Sequence, residues 1–325
     1  MKILKMPISP NPGEYPFIDL KKLLILDIET TGLSSKYNWI YLIGLAYYDT
    51  ESKEWFIEQL FAENSSEEKD ILLALLPYVN ARSLVVTYNG DAFDIPFIKA
   101  RMDKNRISMP PIESLDLFKL LKNNSIFFNL PNLKLRTVEE NLGIFRKDQY
   151  TGKECIDFYK EFTETGSSYL REIILRHNHD DLCSMPGLLS LIRIIHDSKK
   201  VSILDNDHII DLHIVELGIT GEMLTINGSY TSDYNMPIRF YAQGWSIDLR
   251  DDNTFTISYE LIYATNENEL EVALIDISNL EFTEECFSNM DMSIPSGYVI
   301  VSAGKNLNIG NIKTLIREHL LSILV

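Results

Sequence analysis

Residues 23–29 read Leu-Leu-Ile-Leu-Asp-Ile-Glu, an apolar run that ends on two carboxylates and is followed by the turn Thr-Thr-Gly. Such a run predicts a buried strand. Side chains two apart on a strand share a face, so Asp27 and Glu29 project together while Ile28 points to the opposite side. Paired carboxylates at the end of a buried strand suit a metal ion. Taken alone, a D-x-E pair is equally well explained as ordinary acids at a strand end.

The neighbouring segments build a fold around that strand. Residues 39–48 and 54–61 predict two more strands in a meander. A helix capped by Ser65 or Ser66 runs through Val79, and residues 83–89 form a fourth strand ending at Asn89-Gly90. From residue 93 the pattern turns mainly helical, with helices expected over 93–104, 114–123, 134–142, 154–164 and 168–195, the last kinked at Pro186. Residues 196–207 read as a linker. Beyond them, stretches rich in β-branched and aromatic residues alternate with turn signals, and the chain closes on an amphipathic helix from about Ile312. At 325 residues the chain exceeds the usual size of one domain. The expectation is therefore an α/β domain over residues 1–198, then a smaller, β-rich (α+β) domain over residues 205–325.

A net charge of −17 argues against a nucleic-acid binder until its distribution is considered. Residues 201–325 hold 19 Asp and Glu against 5 Lys and Arg, which leaves 28 acids and 25 bases in residues 1–200. The first domain is nearly neutral and can show a positive rim to a phosphate backbone, whereas the second would repel one. No run approaches the length of a membrane span, and Pro and Gly interrupt the N-terminus where a signal peptide needs an apolar stretch. A cytoplasmic protein with no membrane partner is expected. Cys155, Cys183 and Cys286 are widely spaced and form no C-x-x-C pair, so reduced thiols are expected rather than a disulfide framework or a thiolate zinc site.

Further acids join the first pair. Asp94 follows the fourth strand in TYNGDAFDIPF, where a polar turn delivers a carboxylate to the strand's end. Asp181 lies four residues after His177 in LRHNHDDLCSM, so the two share a helix face, while Asp180 is rotated away. Alone, that His–Asp spacing is more often a solvated ion pair. Four carboxylates gathered without counter-ions would repel one another, so the set makes sense around cations. All-oxygen ligands point to Mg²⁺ or Mn²⁺, and two such ions roughly 4 Å apart are the usual clamp for in-line attack on a phosphodiester. A near-neutral imidazole such as His177 suits a general base.

The ordered set DIETTGL, YNGDAFDIPF and HNHDD resembles the DEDD or DnaQ-like 3′–5′ exonuclease superfamily, and within it the bacterial YprB-like branch of RNase H-like proteins. The likeness spans residues 23–195 and includes Asp116-Leu117 and the helix end Glu140–Ile144 followed by a basic residue. It implies an RNase H-like mixed sheet flanked by helices and a two-metal 3′–5′ exonuclease acting on a single-stranded 3′ end. Asp27, Glu29, Asp94 and Asp181 become metal carboxylates and His177 the base. Thr30, Thr31 and Leu33 would contact the terminal nucleotide, and Asn89 would help to hold it. Better-known subgroups place Tyr four residues or His five residues before the final Asp, whereas His177 stands four before Asp181. That departure bears on the base role. Lys134, Arg136, Arg146 and Lys147 are expected on a phosphate-facing rim.

No G-x-x-x-x-G-K-[ST], G-x-G-x-x-G or G-x-S-x-G occurs, which removes the usual grounds for a P-loop NTPase, a dinucleotide oxidoreductase or a serine hydrolase. Two rivals stay open: a non-catalytic RNase H-like module that binds nucleic acid or scaffolds proteins, and a structure-selective endonuclease. In the second domain, Asp207, His208, Asp211 and His213 do not share one strand face and read against a metal site. Phe240, Tyr241, Trp245 and Tyr259 read as β-core rather than base-stacking groups, and a protein partner or a cover for the active site is the role expected of this domain.

Overall fold

The computed structural model describes residues 1–10, 18–128, 130–146, 150–205, 208–233, 237–265, 269–280, 286–288 and 294–324. Two compact units emerge, Met1–Ser125 with Asn129–Ile194, and Ile126–Phe128 with Ile195–Val325.

The first unit is built on a six-stranded mixed sheet. Its strands are β1 (Lys2–Ile8), β2 (Leu23–Thr30), β3 (Ile40–Asp49), β4 (Glu54–Phe61), β5 (Leu84–Thr87) and β6 (Glu113–Asp116), in the order β1-β4-β3-β2-β5-β6. The first four pair antiparallel, and β5 and β6 continue parallel to β2. The helices are α1 (Glu68–Ala81), α2 (Asp94–Lys104), α3 (Leu117–Asn123), α4 (Leu135–Asn141), α5 (Gly152–Thr165) and α6 (Ser168–Leu188), followed by α7 (Ser190–Lys199), whose residues from Ile195 belong to the second unit. Leu24, Leu26 and Ile28 of β2 pack with Ile71, Leu75, Phe97 and Ile98 of α1 and α2. A second cluster joins Tyr41 and Phe61 to Tyr159, Phe162 and Ile174 of α5 and α6, with the Tyr41 and Tyr159 rings stacked at 3.9 Å. Asp27 and Glu29, out of phase with the α1–α2 core, therefore face α6.

In the second unit, β7 (Lys200–Asp205), β8 (His208–Thr220), β9 (Met223–Ser232), β10 (Ile238–Ala242), β11 (Trp245–Leu249) and β12 (Thr254–Glu260) form an antiparallel sheet in the order β10-β11-β12-β9-β8-β7. A smaller sheet holds β13 (Ile262–Thr265), β14 (Glu271–Asp276), β15 (Tyr298–Ala303) and β16 (Asn306–Leu307). The terminal helix α8 (Ile309–Leu324) buries Ile312, Leu315, Ile316 and Leu320 among the strands, following its apolar stripe. Among the described residues no helix is long and apolar enough to cross a membrane.

The mixed sheet with flanking helices and the β-rich second half match the sequence expectation, with four local corrections. Residues 2–8 form an edge strand where none was expected. The helix expected at 114–123 starts at Leu117, because residues 113–116 pair with β5. The helix through Pro186 ends at Leu188 and gives way to α7, since proline cannot donate the hydrogen bond that would continue the turn. Residues 196–205 are not a linker: α7 runs to Lys199, and β7 pairs with β8 while burying Val201 and Ile203.

Candidate metal centre

Three elements converge on the end of β2. Asp27 and Glu29 lie on the strand, Asp94 is the first residue of α2, and His177 and Asp181 sit one turn apart on α6. The turn before α2 is fixed by its sequence. Asn89 adopts a left-handed conformation (φ 66°), and a Cβ on Gly90 would lie 2.4 Å from Thr87 Cβ. Asp116 then holds the turn, accepting the main-chain N–H of Asn89 at 2.9 Å and of Asp91 at 3.1 Å while it caps α3. Asp94 is delivered buried against β2, where its Oδ1 accepts the N–H of Ile28 at 3.1 Å.

His177 Nε2 lies 3.6 Å from Glu29 Oε1 and 3.7 Å from Asp181 Oδ2. One ligand atom from each of Glu29, His177 and Asp181 falls within 4.8 Å of the others. His177 thus stands inside the carboxylate set. The Tyr41 hydroxyl reaches Glu29 Oε2 at 3.5 Å, and the Asn178 amide donates to Asp27 Oδ2 at 2.7 Å.

Electrostatics tie the four acids into one group. Burial pushes the Asp27 carboxyl well above the usual range, and the charges of Asp181, Asp94 and Glu29 push it further. Glu29 is pushed up to about 8, first by burial, with the nearby His177 acting against the rise and Asp181 and Asp94 adding to it. Burial likewise lifts Asp94 to about 7 against the opposing bond from Ile28 N–H, with Asp116 and Asp181 contributing. Carboxylates crowded this way, with an imidazole among them, fit divalent cations: a cation removes the repulsion that the fold imposes.

Other expected residues take different places. Thr30 is buried and its hydroxyl donates to Gly32 O at 2.9 Å; the Thr31 hydroxyl accepts the Trp39 N–H at 3.1 Å. Leu33 is 83% exposed on the same turn. Asn89 and Lys134 line one groove with Tyr88, Phe118, Lys122 and Leu133. Arg136 is exposed and pairs with Glu140 at 3.2 Å. Arg146 departs from the expected rim: it is nearly buried, holds the fully buried Glu139 through two hydrogen bonds of 2.5 Å, and reaches Asp181 with its third nitrogen. A buried carboxylate needs a buried partner, and that need outweighs exposure to phosphate. Lys147 and Asp207 lie outside the described residues. In the second unit Asp211 is taken up by Lys200 at 2.8 Å and Ser202 at 2.6 Å. Tyr259 is core, but Phe240 and Tyr241 are exposed because their strand, β10, is a sheet edge.

Gln59, Asn178, Gly44 and Glu139 had no role in the sequence expectation, Asn178 entering it only as part of HNHDD. A signal existed for one of them: a lone glycine inside an apolar strand marks a close approach, and a Cβ on Gly44 would lie 2.3 Å from Asn178 Oδ1.

A family model described as RNase_H superfamily matches residues 24–193. The uncharacterized protein YprB of Bacillus subtilis (strain 168) is 34% identical over 227 residues, which are 61% of this chain and 52% of that protein. The chain thus spans about half the length of the curated relative it matches. Among solved structures it is similar to the family B DNA polymerase from the archaeon Pyrobaculum calidifontis, at 16% identity over 54% of this chain and 25% of that one, with a TM-score of 0.42. It is also similar to the zinc-bound E. coli ExoI–ssDNA complex, at 12% identity over 63% and 54% of the two chains, with a TM-score of 0.32.

Proposed function

The chain belongs to the RNase_H superfamily, and on that premise we propose that it is a metal-dependent nuclease, a 3′–5′ exonuclease that hydrolyses phosphodiester bonds of DNA or RNA at a single-stranded 3′ end. The observation that carries the reading is the convergence of Asp27, Glu29, Asp94 and Asp181 with His177 at the end of β2. Two Mg²⁺ or Mn²⁺ ions, when bound, would activate water and stabilise the leaving oxygen. The chain's own part is to hold these four carboxylates against their repulsion and to move a proton. His177 Nε2, beside Glu29 and Asp181, takes the proton of the attacking water.

Substrate contacts follow from what each group has free. Leu33 packs against the terminal base, while Thr30 and Thr31 meet the nucleotide from the same turn, which the Thr30 and Thr31 hydroxyls and the Thr31 N–H hold together. Asn89 and Lys134 guide the strand along their shared groove, with Arg136 on its rim. The acidic second unit repels phosphate and takes a protein partner, in a cytoplasmic setting.

One observation favours a second reading, a non-catalytic nucleic-acid-binding or scaffold module: the Arg146 guanidinium already neutralises Asp181. The test of both is incubation of 3′- and 5′-labelled single-stranded DNA and RNA with Mn²⁺, Mg²⁺ or EDTA, beside Asp27→Ala. A ladder shortening from the 3′ end, lost in EDTA and in the variant, establishes the exonuclease. Internal cuts establish an endonuclease at the same site. Equal inertness of both proteins while both bind the oligonucleotide establishes the module.

A further inference from the structure

We infer that Asn178 is a positioning residue for Asp27: its side-chain amide, itself oriented by Gln59, occupies Oδ2 and leaves Oδ1 as the oxygen offered to a divalent cation, a monodentate geometry that favours Mg²⁺ and Mn²⁺ over Ca²⁺. The inference rests on the reading of the four carboxylates as a metal centre.

Helix α6 comes close enough for this contact because Asp27 pairs across the sheet with Gly44, where any side chain would collide with Asn178. Asn178 has no exposed surface and Gln59 almost none. Gln59 Nε2 donates to the main-chain oxygen of Leu175 at 2.8 Å and to Asn178 Oδ1 at 2.9 Å. A main-chain carbonyl can only accept, so it fixes which end of the Gln59 amide faces α6. That in turn fixes Asn178: with its oxygen accepting from Gln59, its NH₂ must face Asp27, which it reaches at 2.7 Å. Reversing the Asn178 amide would set NH₂ against NH₂ and oxygen against carboxylate where Asn178 and Gln59 are both buried. The relay therefore runs in one direction, from the helix backbone to a metal carboxylate.

The chemical consequence concerns coordination. Ca²⁺ takes six to eight oxygens and readily uses carboxylates in bidentate fashion, whereas Mg²⁺ demands near-octahedral geometry with single oxygens. Asn178 has no exposed surface to offer a substrate, so its effect is on which cation Asp27 accepts and how tightly.

The experiment is titration of the full chain with Mn²⁺ and with Ca²⁺, by calorimetry and by the electron-paramagnetic-resonance signal of free Mn²⁺. Wild type is expected to bind Mn²⁺ at least tenfold more tightly than Ca²⁺. Asn178→Ala is expected to lose about tenfold in Mn²⁺ affinity, in the range found for partners of metal ligands, with Ca²⁺ affinity unchanged or higher. Gln59→Glu preserves shape but supplies only acceptors, so Asn178 must turn its NH₂ away from Asp27, and the same loss follows. Circular dichroism in EDTA establishes that each variant is folded. A wild-type Mn²⁺/Ca²⁺ preference near one, or folded variants with wild-type affinities for both ions, overturns the inference and leaves the metal centre standing. A wild-type chain that binds no divalent cation overturns the metal-centre reading, and this inference with it.

Discussion

Asp27 meets three conditions at once: it is set into a strand, crowded by three other carboxylates, and held by a neutral amide. In the absence of metal this arrangement is a cost to the fold. Asp27→Asn in EDTA at pH 8 is therefore expected to raise the melting temperature by a few degrees, about 1 kcal/mol, while abolishing the further rise expected of wild type with Mn²⁺. A variant no more stable than wild type in EDTA speaks against the crowding. Arg146 makes the opposite case. Removing it takes from Glu139, which has no exposed surface, the guanidinium that holds both its oxygens, so Arg146→Ala is expected to destabilise by about 3–5 kcal/mol in a denaturant titration. Loss of less than about 1 kcal/mol would show that Glu139 finds another partner. These residues also mark where the sequence could be read. The period of a strand puts Asp27 with Glu29, and the period of a helix puts His177 with Asp181, so both pairs are legible locally. Arg146 with Glu139, and Asn178 with Asp27 across 151 positions, depend on how elements cross. No local period encodes that.

At the scale of elements, the contact between α6 and the sheet is set by one missing side chain. Gly44→Ala puts a methyl 2.3 Å from Asn178 Oδ1 and 2.6 Å from Leu182 Cδ1, both on α6. The helix must shift, at about 1–3 kcal/mol, and Mn²⁺ binding should weaken with it, because His177 and Asp181 move on the same helix. Wild-type stability together with wild-type Mn²⁺ affinity in calorimetry would mean the helix is not pressed against the strand. A second junction ties α2 to α1 and to the turn after β2. Arg101 grips Glu68 at 2.5 and 2.7 Å and donates to Ser35 O at 3.0 Å, while Glu68 accepts the Ile40 N–H at 2.9 Å. Elements with a strong pattern, such as β2, α1 and α8, could be read from sequence. The edge strand β1, the four-residue β6, and β7 within a polar stretch could not, because a partner strand defines them and their own composition does not.

Across the whole molecule the two units are expected to answer to different ions. The first carries the four carboxylates proposed to hold metal, and on that reading its stability should follow Mn²⁺. The second carries His319, buried in α8 beside Tyr259, whose hydroxyl lies 3.1 Å from its Nδ1, and against the edge of Trp245. Burial pushes the His319 imidazole down to about 4 from its ordinary value of 6.5. Between those values the unfolded chain binds a proton that the folded chain refuses, so this histidine's contribution is intact above about pH 6.5 and is lost as pH falls towards 4. At pH 5 the loss is about 2 kcal/mol. His319→Gln leaves an acceptor for Tyr259 and nothing to protonate, and is expected to flatten that slope. Scanning calorimetry at pH 7 and pH 5, with and without Mn²⁺, reads both effects. The transition lowered by acid should be the one Mn²⁺ does not raise, and acid should spare it in His319→Gln. If wild type and His319→Gln lose stability equally between pH 7 and pH 5, His319 is already solvated in the folded state. The acid response between those pH values would then belong to another group of this unit, such as His213, whose imidazole is pushed below 6.5 by burial and by the charges of His196 and Lys199.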